Sequence, residues 1–356
     1  MAKLTLEEIA ALAGVSRATV SRVVNNHLKV RADLRERVLK VISENGYFPD
    51  TVARSLASHR TFSRQRSYII SLVIQETTQI LFTDPYFALL IQGIAEACNQ
   101  NNHILTLVLF HVMKDGEEFP SHLLQNRIFD AAIITTARMD DMLITHLIDN
   151  QIPFVVVGSH SDARVSSVDV DNQIGAHDVV AHLISLGRRR IAMITGPANN
   201  FAAEQRKQGY LQALRDHNLP VESGLIQTGS FSEQSGYECM QQLILLNPDA
   251  VFAASDVMAS GALRAMREAG VRVPDQIAVV GYDDLPLAAV TDPPLTTVFQ
   301  PIKQIGTQAV STLIDVLEKG PEPTRRAVLN TRLVIRKSSG APQNPQPYRG
   351  SAIEGG

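Results

Sequence analysis

Hydrogen-bond donors are concentrated on one face of a short predicted helix near the N-terminus. Arg17 and Arg22 lie on the face that is left free when Val20, Val23 and Val24 pack inward. An arginine side chain can donate two hydrogen bonds to guanine O6 and N7, which discriminates that base by about 1–3 kcal/mol. The polar and small neighbours around this face are Ser16, Ala18, Thr19, Ser21 and Asn25. The pattern indicates contacts with double-stranded DNA, with solvent-exposed surface charge as the alternative.

The sequence contains none of the common motifs for covalent or metal-dependent catalysis. GxSxG, the phosphate-binding GxxxxGK[ST] loop, GxGxxG and HExxH are all absent. His177 and His182 do not have the spacing of a metal pair on one helix face. Asp283 and Asp284 are adjacent, so their carboxylates do not project together as a general acid and base would need. We therefore expect no enzymatic activity, no cofactor and no metal site.

Composition limits the class of protein further. The 356 residues are 45% hydrophobic and 19% charged, which supports a folded core and excludes general disorder. No apolar stretch approaches the ~18 residues of a membrane span. The N-terminus lacks the pattern of a secretion signal, so a cytoplasmic location is expected. Cys98 and Cys239 lie far apart without metal-ligand spacing and are expected to be reduced thiols.

The net charge of −3 is unevenly distributed along the chain. Residues 1–66 hold 12 Lys and Arg against 6 Asp and Glu, a net charge of +6, whereas the remainder carries −9. A basic head on an acidic body indicates that the head meets a polyanion. This charge distribution points to the same partner as the donors of the short helix.

The basic head is predicted to fold as three short helices. Thr5 and Glu8 have the spacing of a capping box, which starts the first helix, and Gly14 ends it. A second helix, Arg17–Val24, follows, and a third extends from Ala32 to Glu44. Two short helices joined by a glycine-containing turn are typical of a helix-turn-helix. A helical hairpin without a ligand is the alternative.

Beyond a polar linker, the chain alternates between predicted strands and helices. The predicted strands are Tyr68–Ile74, Ile104–Phe110, Ala131–Thr135, Phe154–Gly158, Ile191–Thr195, Ala250–Ala254 and Ile277–Gly281. The predicted helices are Tyr86–Asn101, Met139–Asn150, Ile174–Leu186, Ala203–His217, Ser235–Leu246, Met258–Ala269 and Lys303–Lys319. Repeated βαβ units predict parallel sheets covered by helices. The length of the body indicates two lobes, with a ligand cleft beyond the carboxyl ends of the strands.

Several segments resemble a known family closely. TLEEIAALAGVSRATVSRVVNN, from Thr5 to Asn26, is similar to the helix-turn-helix signature of the LacI/GalR family of bacterial transcription regulators. NGYFPDTVARSLAS is similar to that family's hinge segment, and pieces of the body such as Gly281-Tyr282-Asp283-Asp284 resemble its effector domain. The resemblance implies a small all-α helix-turn-helix DNA-binding domain and an α/β effector domain. The latter would consist of two Rossmann-like parallel-sheet lobes, similar to periplasmic binding proteins.

The resemblance covers residues 4–337 and also implies domain limits. We expect the DNA-binding domain at 1–49, a hinge helix at 50–58 and a linker at 59–67. The first effector lobe would comprise 68–169 and 299–327, and the second 170–298 and 328–337. The polar, Pro- and Gly-rich tail, residues 338–356, is expected to be disordered.

The family's hinge segment implies a particular mode of DNA binding. The two hinges of a homodimer would fold only on DNA, where Leu56 would enter the minor groove as a wedge and kink the duplex. The alternative for Leu56 is a linker hydrophobe without a role. The residues expected to contact DNA are Thr5, Ser16, Arg17, Ala18, Thr19, Ser21, Arg22, Asn25, Arg54, Leu56 and Ala57. Two heads at a fixed spacing would read a palindromic operator, and no membrane partner is expected.

The effector contacts are expected between the two lobes. Tyr86 and Phe87 follow the first strand, where their rings could stack on a sugar or a base, and the Arg206 fork could bind hydroxyls or a carboxylate. The alternatives are a core position for one aromatic ring and an inter-lobe ion pair for Arg206. The residues expected to bind the effector are Tyr86, Phe87, Asn200, Arg206, Phe231, Ser255 and Asp283. Ser255 departs from the asparagine that several sugar-responsive relatives carry.

The sequence therefore predicts a cytoplasmic, homodimeric transcriptional repressor that is controlled by a small molecule, expected to be a sugar or a sugar derivative. One alternative is a solute-binding module without a DNA function, which the intact head and the missing export signal argue against. The other is a regulator controlled by a nucleobase or by a protein partner.

Overall fold

The computed structural model describes residues 5–24, 30–44, 67–109, 129–135 and 142–342. The chain divides into two compact units, Met1–Arg66 and Ser67–Gly356. The boundary lies next to the predicted end of the linker at residue 67. We refer to the two units as the head and the body.

The head contains the three predicted helices, α1 (Leu6–Ala13), α2 (Arg17–Val24) and α3 (Ala32–Glu44). Both halves of the capping box at the start of α1 are present. The Thr5 hydroxyl accepts from the Glu8 amide at 3.3 Å, and the Glu8 carboxylate accepts from the Thr5 amide at 2.6 Å. Each bond satisfies an amide that the first helical turn would leave unpaired.

A small apolar core holds the head together. Ile9, Val20 and Val38, one from each helix, are fully buried. Gly14 ends α1 with a φ of 61°, a left-handed conformation that glycine adopts without strain. The turn redirects the chain so that the apolar sides of α1 and α2 meet.

The described elements of the body alternate in the predicted manner. The strands are β1 (Ile69–Ile74), β2 (Ile104–Leu109), β3 (Ala131–Thr135), β4 (Phe154–Val157), β5 (Ser167–Val170), β6 (Ile191–Thr195), β7 (Ile226–Thr228), β8 (Ala250–Ala253), β9 (Ala278–Val280), β10 (Thr297–Phe299), β11 (Arg326–Leu329) and β12 (Arg332–Val334). The helices are α4 (Thr78–Thr83), α5 (Pro85–Gln100), α6 (Met142–Asp149), α7 (Asn172–Ser185), α8 (Phe201–Asp216), α9 (Glu233–Ile244), α10 (Asp256–Glu268) and α11 (Ile302–Lys319). Short 3₁₀ turns lie at Ser223–Leu225 and Pro286–Ala289.

The strands form two parallel sheets, one in each lobe. The first sheet has the order β11-β5-β4-β3-β1-β2, and the second has the order β7-β6-β8-β9. All strand pairs within these two sheets are parallel. Their central strands are almost wholly apolar and buried, as expected for sheets that are covered on both faces. Each lobe has its own apolar cores.

Close helix packing within each lobe depends on glycine. α5 and α11 lie side by side in the first lobe, and a Cβ atom at Gly93 would overlap the carbonyl oxygen of Lys303. α9 and α10 pair in the second lobe, where a Cβ atom at Gly261 would overlap the carbonyl oxygen of Glu233. The missing side chains allow the helix backbones to approach closely.

Three segments connect the two lobes. β5 belongs to the first sheet and leads into α7 of the second lobe. The antiparallel pair β10–β12 lies beside the second sheet, and β10 leads into α11 of the first lobe. β11 returns to the first sheet, and the following strand, β12, pairs with β10 beside the second sheet. The lobes are therefore connected at one side, close to residues 166–171, 294–300 and 325–332.

The packed chain extends further toward the C-terminus than the sequence predicts. Ser338 and Ser339 are fully buried, so the prediction that a disordered tail begins at residue 338 is wrong for these two residues. The Ser338 hydroxyl donates to the carbonyl oxygen of Val279 at 2.6 Å, and the Ser339 hydroxyl lies 3.1 Å from His182 Nε2. These hydrogen bonds join the segment after β12 to β9 and α7.

Candidate functional site

A cavity of about 120 Å³ lies between the two lobes of the body. The first lobe contributes Glu76, Ile80, Asp84, Tyr86, Phe87, Thr135, Val157, Gly158, Ser159 and Asp169. The remaining lining residues are Asn200, Phe201, Ala202, Arg206, Ser230, Phe231, Ser255, Asp283 and Gln300. Many of these residues lie at or just after the carboxyl ends of parallel strands, where ligands of such sheets bind. All seven residues predicted to bind an effector line this cavity.

Arg206, on α8, lies at the centre of the cavity wall and is almost completely buried. Its Nε atom donates to Asn172 Oδ1 at 2.9 Å, and its Nη1 atom donates to the carbonyl oxygen of Ala254 at 2.6 Å. The Asp283 carboxylate lies 3.4 Å from the same Nη1 atom. The guanidinium also stacks on the Tyr282 ring, 3.8 Å from its centroid. Its plane is therefore fixed before any ligand arrives.

Asp283 faces Arg206 from the turn after β9. Gln300 Nε2 donates to Asp283 Oδ1 at 2.5 Å, so two donors from different elements converge on one carboxylate oxygen. Burial raises the pKa of Asp283 to about 7, although the charge of Arg206 opposes the shift. The neutral and ionised forms of this carboxyl group are therefore close in free energy near neutral pH.

Two further carboxyl groups add negative charge to the cavity. Burial raises the pKa of Asp84 to about 6, with the Tyr86 amide and Arg206 opposing the shift. Burial also raises the pKa of Asp169, which accepts hydrogen bonds from the Ser159 hydroxyl at 2.7 Å and from Asn172 Nδ2 at 3.1 Å. The cavity therefore presents more carboxyl groups than guanidinium groups.

The two aromatic residues at the start of α5 have different roles. Their rings meet edge to face, with centroids 5.5 Å apart. Phe87 is buried in the core of the first lobe, whereas Tyr86 is only partly buried. The expectation that one of the pair is a core residue thus applies to Phe87. Tyr86 offers the more accessible ring to a ligand.

The second lobe contributes Phe231 from a left-handed position with a φ of 60°. Its ring lies against Gly196, where any Cβ atom would overlap it. Phe201, which the sequence reading did not select, approaches His160 of the first lobe with ring centroids 5.7 Å apart. Aromatic side chains from both lobes therefore border the cavity.

Asn200 and Ser255 use their side chains to cap helices. Asn200 Oδ1 accepts from the Ala203 amide at 3.0 Å at the start of α8. Ser255 Oγ accepts from the Met258 amide at 3.2 Å at the start of α10. Each side chain satisfies an amide that would otherwise lack a partner, which stabilises the helix N-terminus that borders the cavity.

Sequence reasoning missed several polar residues of this site. Asp84, Ser159, Asp169, Asn172, Gln205 and Gln300 all take part in the wall or in its hydrogen bonds. The bond from Gln205 Nε2 to the Ser159 hydroxyl, at 3.3 Å, joins α8 to the loop after β4. The one usable signal was position, because Ser159 and Asp169 occur at or next to strand ends.

In the head, the predicted DNA contacts on α2 are mostly exposed. Arg17, Ala18 and Arg22 are exposed, and Arg17 Nε lies 2.9 Å from the Glu7 carboxylate. Ser16 Oγ accepts from the Thr19 amide at 3.2 Å and caps α2, as Thr5 caps α1. Thr19 and Ser21 are partly exposed. The predicted contacts Asn25, Arg54, Leu56 and Ala57 lie outside the described residues.

Neither a metal site nor a membrane span is found in the part of the chain that the structure describes. Within those ranges, no three His, Cys, Asp or Glu side chains are grouped in a way that could hold a metal ion. The same ranges contain no helix that is both long and apolar enough to cross a bilayer.

Two family models match the chain. Residues 5–50 match the bacterial regulatory proteins of the lacI family, and residues 180–339 match the periplasmic binding protein-like domain. The two matches together indicate a regulatory protein with a DNA-binding head and a body of the periplasmic binding protein-like type.

Full-length relatives extend the match. The transcriptional regulator CelR of Thermobifida fusca is 37% identical over 339 residues, which cover 94% of this chain and 98% of CelR. The transcriptional repressor PurR of Haemophilus influenzae strain PittEE is 32% identical over 342 residues, with 94% and 98% covered. The chain belongs to the LacI family, whose members compared here are transcriptional regulators and not enzymes.

Solved structures agree with this assignment. A CelR–cellobiose complex superposes with a TM-score of 0.73 at 35% identity and covers 94% of this chain and 99% of its own. A lac repressor dimer bound to operator and the anti-inducer ONPF superposes with a TM-score of 0.83 at 27% identity and covers 96% and 100%. The α/β body and the helical head are thus those of the family.

Proposed function

We propose that the chain is a cytoplasmic, homodimeric repressor that binds a palindromic operator and is controlled by a neutral sugar in the cavity. The head would supply the DNA contacts, and the cavity would bind the effector. Coupling between two such sites is typically about 1–3 kcal/mol and is reciprocal, so operator DNA would change the affinity for the sugar by the same factor as the sugar changes the affinity for DNA.

The charge of the cavity supports a neutral, hydroxyl-rich ligand. Asp84, Asp169 and Asp283 can accept hydrogen bonds from hydroxyl groups, whereas Arg206 is already engaged by Asn172, Ala254 and Asp283. A phosphate or carboxylate in the same space would meet four carboxyl groups, those of Glu76, Asp84, Asp169 and Asp283, around one guanidinium. The Tyr86 ring provides an apolar face of the kind on which sugar rings stack.

The relatives support the same choice of ligand. CelR has been solved with cellobiose and shares 35% of its sequence with this chain over nearly its whole length. Cellobiose is therefore the first probe. A second candidate is a nucleobase, because the Tyr86 ring could equally stack on a base.

Ligand binding can be tested by thermal melting and calorimetric titration. The probes are cellobiose, glucose 6-phosphate and free nucleobases. A ligand that binds only the folded protein raises the melting temperature, by an amount that grows with its concentration relative to Kd. We expect cellobiose to raise it and glucose 6-phosphate to have no effect. A shift with nucleobases alone would contradict the sugar and support the second candidate.

The role of the head can be tested with operator DNA selected from random duplexes. We expect Arg22→Ala to weaken operator binding about fivefold or more, since a lost bidentate base contact is worth about 1–3 kcal/mol. Arg272→Ala is the matched control, because Arg272 is an exposed arginine of the body whose side chain is 71% accessible. Equal affinity for both variants would contradict DNA binding through α2.

A further inference from the structure

The turn that carries Asp283 into the cavity has an unusual backbone. Asp283 and the next residue, Asp284, have φ angles of 117° and 55°. Two consecutive non-glycine residues at positive φ are disfavoured, because the Cβ atom crowds the backbone. Such a conformation persists only where surrounding contacts hold it.

Hydrogen bonds to β10 hold the Asp283 backbone. Its amide donates to the carbonyl oxygen of Val298 at 2.8 Å, and its own carbonyl oxygen accepts from the Gln300 amide at 3.2 Å. These bonds fix Asp283 against the segment that crosses to the first lobe. The Leu285 amide, on the other side of Asp284, donates to Asp256 Oδ2 at 2.8 Å. Between these two anchored residues, Asp284 adds a contact through its side chain.

Arg336 holds Asp284. Its Nη2 atom donates to Asp284 Oδ1 at 2.7 Å, and the two side chains are only 23% and 15% accessible. The Nη1 atom of Arg336 donates to the carbonyl oxygen of Leu295 at 2.9 Å, and its amide donates to the Thr296 hydroxyl at 2.8 Å. One residue from the C-terminal segment therefore ties the strained turn to the residues just before β10.

We propose that Arg336 is a positioning residue for the effector site, which acts through Asp284 to set the direction of the Asp283 carboxylate. This inference rests on the proposed role of the cavity. Without the guanidinium of Arg336, Asp284 can relax from the left-handed conformation, and the Asp283 carboxylate then changes its direction relative to Arg206 and Gln300 while the Asp283 backbone stays bound to the crossing segment. Arg336 does not line the cavity, so its effect on ligands would be indirect.

A matched pair of variants tests the proposal. Arg336→Met removes the ion pair and both Nη contacts. Arg188→Met is the control, because Arg188 is a partly buried arginine of the same lobe that also makes two Nη bonds, to the carbonyl oxygens of Asp249 and Pro274. Loss of a charge-assisted hydrogen bond predicts a fall in cellobiose affinity of about tenfold or more for Arg336→Met. For Arg188→Met, the cellobiose affinity should change by less than about twofold.

A second readout needs no ligand. The titration of Asp283 can be followed as the difference in melting temperature between each protein and its Asp283→Asn derivative, from pH 5 to pH 9. Arg206, Asp84, Asp256 and Tyr86 are the titratable groups that face Asp283 from other elements, and Tyr282 and Asp284 adjoin it. We expect the midpoint of this difference to shift in Arg336→Met and to stay in place in Arg188→Met. A general loss of stability would lower all melting temperatures without moving the midpoint.

Substitution of Asp284 provides an internal check. Glycine accepts positive φ without strain, so Asp284→Gly should make the turn independent of Arg336. Arg336→Met should then have little further effect on the Asp283 midpoint in the Asp284→Gly background. Arg336→Lys keeps the positive charge but loses the two-donor guanidinium, so it should shift the Asp283 midpoint by an intermediate amount. If Arg336→Met does not fold, Arg336→Lys is compared with Arg188→Met instead.

The outcomes separate this inference from the proposed function. If the unmodified protein fails to bind cellobiose, the ligand assignment is wrong and the Asp283 midpoint alone decides the role of Arg336. An unchanged midpoint in Arg336→Met, or equal shifts in Arg336→Met and Arg188→Met, would overturn the positioning role.

Discussion

The head and the cavity both present arginines to a partner, but they hold them in opposite ways. In the head, Arg17 pairs with Glu7 while 68% and 59% of the two side chains remain accessible. In the cavity, Arg206 pairs with Asp283 and only 7% of each side chain is accessible. The first pair lies within one small helical unit, whereas the second joins elements that are 77 residues apart.

This difference matches what each arginine would have to do. An exposed ion pair is worth about 0–1 kcal/mol, so Arg17 can exchange Glu7 for a DNA group at little loss. A buried pair is balanced against a large desolvation penalty and depends on every partner. Arg206 is therefore fixed in place, and a ligand meets a wall whose polar groups are already oriented. Each of the predictions below tests this contrast.

Arg206→Met is expected to have the largest effect. It leaves Asp283 buried without its countercharge, and such a change typically lowers the free energy of unfolding by about 3–5 kcal/mol. The loss should be greater at pH 8 than at pH 5, because Asp283 becomes neutral at low pH. Arg264→Met is the control, since Arg264 stacks on Tyr237 and pairs with Glu233 but is 36% accessible. Similar losses in denaturant unfolding would remove the contrast between buried and exposed pairs.

Asp283→Asn is expected to change the pH dependence of stability. The pKa of Asp283 rises from 3.8 to about 7 on folding, so the folded state keeps a proton that the unfolded state loses. Its favourable contribution is complete below pH 3.8 and is lost as the pH rises to about 7. The decline in unfolding free energy between pH 5 and pH 8 should be smaller in Asp283→Asn. An identical decline in both proteins would contradict the raised pKa.

Thr5→Ala should have a moderate effect that is confined to the head. It removes the capping-box acceptor of α1, a change that typically costs about 1 kcal/mol. Thr5→Ser keeps the hydroxyl and serves as the control. The measurement is the melting of a fragment of residues 1–66, checked first by circular dichroism for independent folding. An equal loss of stability in Thr5→Ala and Thr5→Ser would show that the methyl group of Thr5, and not its hydrogen bond, stabilises the head.

Glu7→Gln should have the smallest effect. The pair with Arg17 is exposed, so its removal should change the unfolding free energy of the head by less than about 0.5 kcal/mol. Operator affinity should rise or stay constant, because Arg17 no longer has a competing carboxylate. Arg17→Ala, with a similarly small effect on stability, should instead weaken operator binding. A large loss of stability in Glu7→Gln would show that the head also depends on its ion pair.

The sequence predicted the regular elements well where their signals are local. The helix starts at Thr5 and Ser16, and the apolar runs of β1, β3 and β6, have local signatures that do not need a partner. Short elements escaped this reading. β7, β10 and β12 have three residues each, and they are extended because neighbouring segments pair with them. Three residues are too few to show the alternation of a strand, even where the residue types favour one, as in Thr297-Val298-Phe299.

The residues of the cavity also divide into those that could be predicted from local sequence and those that depend on distant partners. Tyr86, Arg206 and Asp283 were predicted from residue type and family resemblance, and they line the cavity. Asp169 and Gln300 were missed, because their residue type and position do not show that their side chains face the cavity. Asp169 lies between Val168 and Val170 in β5, and Gln300 lies in a crossing segment whose partner, Asp283, comes from another element. Which side chain becomes the partner of Gln300 depends on how the folded chain brings distant segments together.

The sequence by itself determined which residues could donate, accept or stack, where most helices begin, and that a basic head is joined to an α/β body. These properties depend on side-chain chemistry and on contacts within a few residues. Only the tertiary structure decided that Arg206 would lie between Asn172, Ala254 and Asp283, and that Arg336 would reach back to Asp284. Burial and long-range pairing set the charge and direction of these groups, because both depend on segments that meet only when the chain is folded.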